Sequence, residues 1–148
     1  MSNFAVILLA IASVCPIYAQ EHPCTNAEAE RAEMQADTSS TWDALYKSYK
    51  AYHHCDDGAI AEGYSESVTR MLARQWSTLP QLLPLAQEDA AFGAFVIRHV
   101  DATADLDNLK TIVRNAKMRC PSNSIALCTE VRKRAEVAIK ELADLGIK

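Results

Sequence analysis

The 148-residue chain has only four glycines and five prolines, and 7% of its residues are aromatic. So few turn-formers exclude a many-turned β architecture and long irregular connections. Nowhere do β-branched residues alternate with polar ones over a strand's length. No C-x-x-C occurs, which removes a thioredoxin-type redox site and a zinc knuckle. G-x-S-x-G, H-E-x-x-H, a phosphate loop and a dinucleotide fingerprint are absent as well, so no familiar catalytic template and no cofactor is indicated. Nor is there an excess of cationic residues. The net charge is −4, which excludes a generally basic nucleic-acid binder. With 49% hydrophobic residues the chain is neither disordered nor fibrous.

What is present begins at the N-terminus. Residues 1–19 carry no charged side chain, and residues 4–14 form an apolar run. That run is too short for a bilayer span of roughly 20 residues, but has the length of a signal-peptide core. Pro16 breaks it, and Ala19 is a small residue suited to cleavage before Gln20. Residues 1–19 therefore read as a cleaved signal, residues 20–148 as one helical domain, and the compartment as secreted or periplasmic. No stable membrane insertion is expected after cleavage. Lipoprotein sites resemble each other in having Gly, Ala or Ser before the cysteine. Val14 holds that place before Cys15, so lipidation there is not expected. Export leaves Cys24, Cys55, Cys120 and Cys128, an even set that suggests two disulfides. The turn-rich link after Cys120 favours pairing Cys120 with Cys128. An antiparallel hairpin of two short helices favours pairing Cys24 with Cys55. The rival joins Cys55 to Cys120 and leaves Cys24 free or paired with Cys128.

Apolar residues recur at spacings of three and four through most of the mature chain. Trp42, Leu45, Tyr46, Tyr49 and Tyr52 form one stripe; Ile60, Tyr64, Val68, Met71, Leu72 and Trp76 form another. Phe92, Phe95, Val96, His99 and Val100 follow, then Leu106, Leu109, Val113 and Ala116. Cys128, Val131, Ala135, Ile139 and Leu142 make the last. Ser40 with Asp43 resembles a capping box, and Asp56 or Asp57, Asp89, and Thr103 or Asp105 are placed to cap later helices. Pro80 and Pro84 predict a short or irregular helix between two of the stripes, and Gly146 a terminal stop. The pattern predicts an all-α bundle of five to six helices, tied by two disulfides.

Charge is unevenly spread. Residues 20–109 hold 6 Lys and Arg against 15 Asp and Glu, a net of −9, and residues 110–148 hold 9 against 4, a net of +5. Lys110, Arg114, Lys117, Arg132, Lys133 and Arg134 make a basic patch around the Cys120 link. Two readings are open: the acidic part packs beside the basic part and neutralises it, or the patch meets an acidic partner.

Residues 53–57, His-His-Cys-Asp-Asp, are the densest polar cluster. Imidazole and carboxylate suit zinc and copper, but neighbours on a helix diverge by about 100°, so His53 and His54 do not readily share an ion. A helix end is the simpler account, with His53 and His54 near a C-terminus and Asp56 or Asp57 capping the next helix. A second metal arrangement is open at His22. If Gln20 is the first mature residue, the amine, two amides and the third-position imidazole form a square-planar set for Cu(II) or Ni(II), unless the glutamine cyclises. His99, with Asp101 near it in sequence, reads as a hydrogen-bonded core residue or as part of a polar pocket. The aromatic stripes read as core, or as the lining of an apolar groove.

Three functions stay open: a protein-binding or inhibitor module, a metal-binding protein using residues 53–57 or His22, and a small helical hydrolase joining Asp56, Asp57 and His99. The first is preferred and an enzyme is not. In size and class alone the outline is similar to bacterial periplasmic immunity proteins that neutralise cell-wall-degrading toxins. Intact-mass measurement of the secreted form is expected to give residues 20–148 less two pairs of hydrogens. A full-length reduced mass would remove both the export and the disulfide readings.

Overall fold

The computed structural model describes residues 22–147; residues 1–19, read above as a signal, and the expected cleavage position lie outside them. Seven α-helices follow in order: α1 (Asn26–Thr38), α2 (Trp42–Tyr52), α3 (Gly58–Arg74), α4 (Leu79–Glu88), α5 (Ala90–Arg98), α6 (Leu106–Met118) and α7 (Ile125–Asp144). Three single 3₁₀ turns, His53–Cys55, Trp76–Thr78 and Ser122–Ser124, lead into α3, α4 and α7. The described residues contain no strand. None of their helices is long and apolar enough to cross a membrane.

The chain is all-α as the spacing predicts, with more helices than the expected five to six. The additional helix is α4, 10 residues long, at Pro80 and Pro84, where a short or irregular helix is expected. Pro80 stands in the first turn, where an N–H has no intrahelical acceptor. Pro84 gives up one ladder bond, and burial of Leu79 and Leu82 offsets it.

Caps explain the other boundaries. Thr25 and Glu28 form a capping box at α1. Thr41, rather than Ser40, caps α2 by accepting from the Ala44 N–H at 3.2 Å. Asp57 caps α3, Asp89 caps α5 and Asp105 caps α6 through their carboxylates. At the far end Gly146 (φ +83°) closes α7. Its N–H bonds the Ala143 carbonyl and that of Ile147 bonds the Leu142 carbonyl, both at 3.0 Å. That paired geometry needs a left-handed residue between the two donors.

The predicted stripes point inward. Trp42, Leu45, Tyr64, Val68, Met71, Phe92, Phe95, Leu109, Val131 and Ala135 belong to one buried cluster drawn from the helices. The aromatics pack on one another: Tyr64 meets Phe95 edge-on at 5.0 Å between centroids, and Tyr49 lies 5.2 Å from Phe92. Their hydroxyls are partly accounted for, because the Ser48 and Tyr64 hydroxyls bond at 2.8 Å in the interior.

Helix α3 ties its neighbours by their backbone ends. α1 has no basic residue in its last turn. Arg70 of α3 supplies one, donating to the Asp37 carbonyl at 3.3 Å and the Ser39 carbonyl at 3.1 Å. Ser67 donates to the Ala36 carbonyl at 2.6 Å. The close approach of α1 and α3 rests on Gly63, where an added Cβ would stand 3.2 Å from that of Ala36. At the other end of α3, Asn115 of α6 donates to the Ala73 carbonyl at 3.1 Å, while Trp76 donates to the Arg119 carbonyl at 2.8 Å.

The disulfides are Cys24–Cys55 and Cys120–Cys128, with Cα separations of 5.1 and 6.1 Å. The hairpin argument therefore selects the observed pairing over the rival. The bridges span 31 and 8 residues of sequence. By chain entropy the longer loop contributes about 3.7 kcal/mol and the shorter about 2.5 kcal/mol. Urea unfolding of the two Cys→Ser pairs is expected to show the greater loss for the Cys24 and Cys55 variant. The reverse order would make strain or residual structure the dominant factor.

Candidate functional site

The turn between α2 and α3 distributes its side chains to four destinations. His53 places Nδ1 3.0 Å from the Tyr49 carbonyl, at the C-terminal end of α2, and lays its ring 5.1 Å from that of Tyr49. His54 turns toward α1, its Nε2 3.6 Å from Glu28 Oε1. Asp56 turns into the bundle, and Asp57 stays outside to cap α3. The structure thus does not bring His53, His54, Asp56 and Asp57 to one point. It does bring Asp56 to His99, and His99 to Asp101 through a serine.

That polar chain is continuous. Asp56 Oδ2 accepts from Arg98 Nη2 at 2.6 Å and lies 3.1 Å from His99 Nε2. His99 Nδ1 lies 3.0 Å from Ser65 Oγ, which is 2.8 Å from Asp101 Oδ2. The other Asp101 oxygen accepts from the Thr103 N–H and hydroxyl, at 2.9 and 2.6 Å. His99 follows α5, whose C-terminal end sets its ring against Phe95 at 4.3 Å. Burial pushes the Asp56 carboxyl up, but the hydrogen bonds from His99 and then Arg98 outweigh it and hold the group below its ordinary value.

Carboxylate, imidazole and serine hydroxyl are the parts of a nucleophilic triad, so what they can do depends on access. Ser65 is 1% exposed and His99 2%, leaving no room for a reacting atom beside the hydroxyl. Ser65 also has one proton facing three acceptors within 3.0 Å: His99 Nδ1, the Asp101 carboxylate and the Ala61 carbonyl. The chain ties the start of α3 to the end of α5. It is a strut by geometry, although its parts are those of a reaction centre.

A second cluster sits beside the Cys24–Cys55 bridge. Ligand atoms of His22, Glu28 and His54 all lie within 4.8 Å of one another. Glu28 Oε2 is engaged by the Thr25 N–H at 3.0 Å and hydroxyl at 2.7 Å, which leaves Oε1 toward His54. The Thr25 hydroxyl, then its N–H, hold the Glu28 carboxyl below its ordinary value.

Between α1 and α3 runs a groove of about 620 Å³. It is lined by Glu30, Glu33 and Asp37 from α1 and by Glu62 and Glu66 from α3, with Met34, 60% exposed, among them. Among the described residues only Glu66 of these five has an ion pair, with Arg70 at 3.4 Å. The basic patch differs. Lys117 and Arg132 both reach Glu136, at 3.0 and 3.3 Å, and Lys133 reaches Glu130 at 3.0 Å. The Lys117 hydrogen bond, ahead of the other contacts, holds the Glu136 carboxyl below its ordinary value. Lys110, Arg114 and Arg134 have no ion pair among the described residues. No described ion pair joins the acidic part of the chain to the basic part, so neutralisation within the patch is local.

Ser65, Glu28 and Arg98 escape a reading of the sequence alone. For Glu28 a signal exists: Thr25 with Glu28 has capping-box spacing. For Ser65 there is only a weak one, a small hydroxyl next to Tyr64 on an apolar helix face. Comparison with family models, with curated proteins and with solved structures finds no match.

Asp56→Asn is expected to cost about 2 kcal/mol at pH 7, because it removes the charge of a buried carboxylate that accepts from Arg98 and faces His99, while the Arg98 left behind is solvated. The Asp56 carboxyl lies below its unfolded value of about 3.9, so its contribution is present above that pH and lost as pH falls through the folded value. Urea titrations at pH 7 and pH 3 should therefore show the gap between wild type and variant closing in acid. An undiminished gap would mean that shape, not charge, is what Asp56 provides.

Proposed function

We propose that the chain is an exported binding module of inhibitor or immunity type, which recognises a cationic protein partner through the groove between α1 and α3. The observation that carries this reading is the uncompensated charge of that groove. Five carboxylates line it, and a single arginine answers one of them. Like charges spaced three and four apart on a helix destabilise it by a few tenths of a kcal/mol each. Glu30, Glu33 and Asp37 have that spacing on α1, as do Glu62 and Glu66 on α3. An oppositely charged surface removes the repulsion and is steered to the groove over a Debye length. Met34 supplies apolar contact among the charges.

Two disulfides and the apolar leader of residues 4–14 support an oxidising compartment outside the cytosol. The burial of Ser65 and His99 supports binding over hydrolysis, since the one Ser-His-Asp arrangement among the described residues is closed to substrate.

The test uses the mature protein as bait against the exported proteins of its source, each captured protein being identified by mass. One basic protein should recur, its binding weakening as salt rises. Glu33→Lys with Glu62→Lys should lower its affinity at least about tenfold at low ionic strength. Glu141→Lys on α7 should leave it unchanged, and circular dichroism should report the same fold in all three. Repeated capture of nothing, or capture that the double reversal does not diminish, rejects the reading.

A further inference from the structure

Three ligating side chains from separate stretches of chain meet at the start of α1. His22 lies two residues before Cys24, and His54 lies immediately before Cys55. The Cys24–Cys55 bridge holds those two stretches together, with Cα atoms 5.1 Å apart. Glu28 comes from the first turn of α1. The imidazole rings of His22 and His54 meet edge to face, 5.4 Å between centroids.

We propose that His22, Glu28 and His54 form a binding site for one divalent transition-metal ion of the zinc type. Two imidazoles and a carboxylate are a borderline-soft set that suits Zn(II), with Cu(II) bound more tightly by the general order of stabilities. Tetrahedral ligands at zinc distances stand about 3.4 Å from one another. Glu28 Oε1 and His54 Nε2 are already 3.6 Å apart. The whole set lies within 4.8 Å, so modest rotation of the exposed His22 closes it.

Two further features separate this cluster from a chance meeting. His54 Nε2 is shielded from solvent and has no hydrogen-bond partner. A nitrogen in that condition costs free energy unless something binds it. Glu28 is oriented from behind, its far oxygen held by both donors of Thr25. That is how carboxylate ligands are fixed by groups around a metal. His53 takes no part, since its Nδ1 is on the Tyr49 carbonyl. Three protein ligands, one of them exposed, leave coordination open to water or to a donor from another molecule.

Mature, untagged protein with its disulfides intact is titrated with Zn(II) by calorimetry and by imidazole NMR. One ion per chain is expected, with the His22 and His54 ring signals shifting together. His22→Ala and His54→Ala should each weaken binding by about 100-fold, the scale on which metal sites respond to loss of a positioned group. Glu28→Gln should do likewise, and His53→Ala should have no effect. His22 lies in the exposed segment before α1, so its variant keeps the fold even if the Glu28 change disturbs the cap. Zn(II) is the probe because it does not displace amide protons at neutral pH. A protein that binds Zn(II) no better than the triple variant overturns the proposal. So does one that binds Cu(II) or Ni(II) with full strength after His54→Ala, because the ion would then belong to the amine and amides of residues 20–22.

Discussion

One carboxylate oxygen holds the two halves of the helical order in register. Asp56 Oδ2 receives Arg98 at 2.6 Å and faces His99 at 3.1 Å, and so ties the turn before α3 to the end of α5. The aspartate is 7% exposed, the arginine 58%. The pair is therefore buried on one side and hydrated on the other, where a full desolvation cost is not incurred. Because Asp56 is drawn inward, Asp57 faces outward and caps α3, Cys55 is buried and reaches Cys24, and His54 is turned to α1. Four successive residues, His54 to Asp57, thus point in four directions around that oxygen.

The interior then uses polar groups as struts between helix ends. Ser67 and Arg70 of α3 satisfy the last carbonyls of α1, Asn115 of α6 satisfies those of α3, and Trp76 satisfies that of Arg119. Orphan carbonyls at a buried helix end are costly, and each of these donors comes from a neighbouring helix. Such bonds join residues 31 to 43 apart in sequence, so they specify which helices are neighbours more sharply than apolar contact does. Ser67 and Asn115, polar residues on the buried faces of α3 and α6, are accounted for in this way, whereas Thr69 donates within its own helix.

Much of this was legible in the sequence, and the boundary of legibility is physical. Apolar spacing located the buried faces of α2, α3, α5, α6 and α7, because burial obeys the 3.6-residue period. Caps at Asp89, Asp105 and Gly146 were legible because their signal is local. Thr41 displaced Ser40 because capping from position 41 makes Trp42 the first helical residue, with Leu45 and Tyr49 behind it on the buried face. Helix α4 ran against propensity, which tertiary burial of Leu79 and Leu82 overrode. Convergence of Asp56 with His99 was an open expectation, but Asp57 stays outside it, and the link through Ser65 to Asp101 was not legible, since it depends on where α5 ends relative to α3. The meeting of His22 with His54 was not read either, because beyond the Cys24–Cys55 pairing it needs both side chains to turn toward Glu28, which no local pattern encodes.

The acidic groove follows from the same economy of cations. Arg70 is the α3 cation at the α1 interface, and its Nη2 is committed to the carbonyls of Asp37 and Ser39 and to the Ser67 hydroxyl. Only its Nη1 reaches a groove carboxylate, Glu66 at 3.4 Å. The residue that closes α1 onto α3 is thus mostly withdrawn from the surface it would otherwise neutralise. The basic residues of α6 and α7 do not replace it, since their described ion pairs are with Glu130 and Glu136. A fold selected for stability alone would gain by placing a lysine among Glu30, Glu33, Asp37 and Glu62, as it does between Asp43 and Lys47 at 2.7 Å on α2. No lysine stands there, so among the described residues the repulsion of these carboxylates is relieved at Glu66 alone.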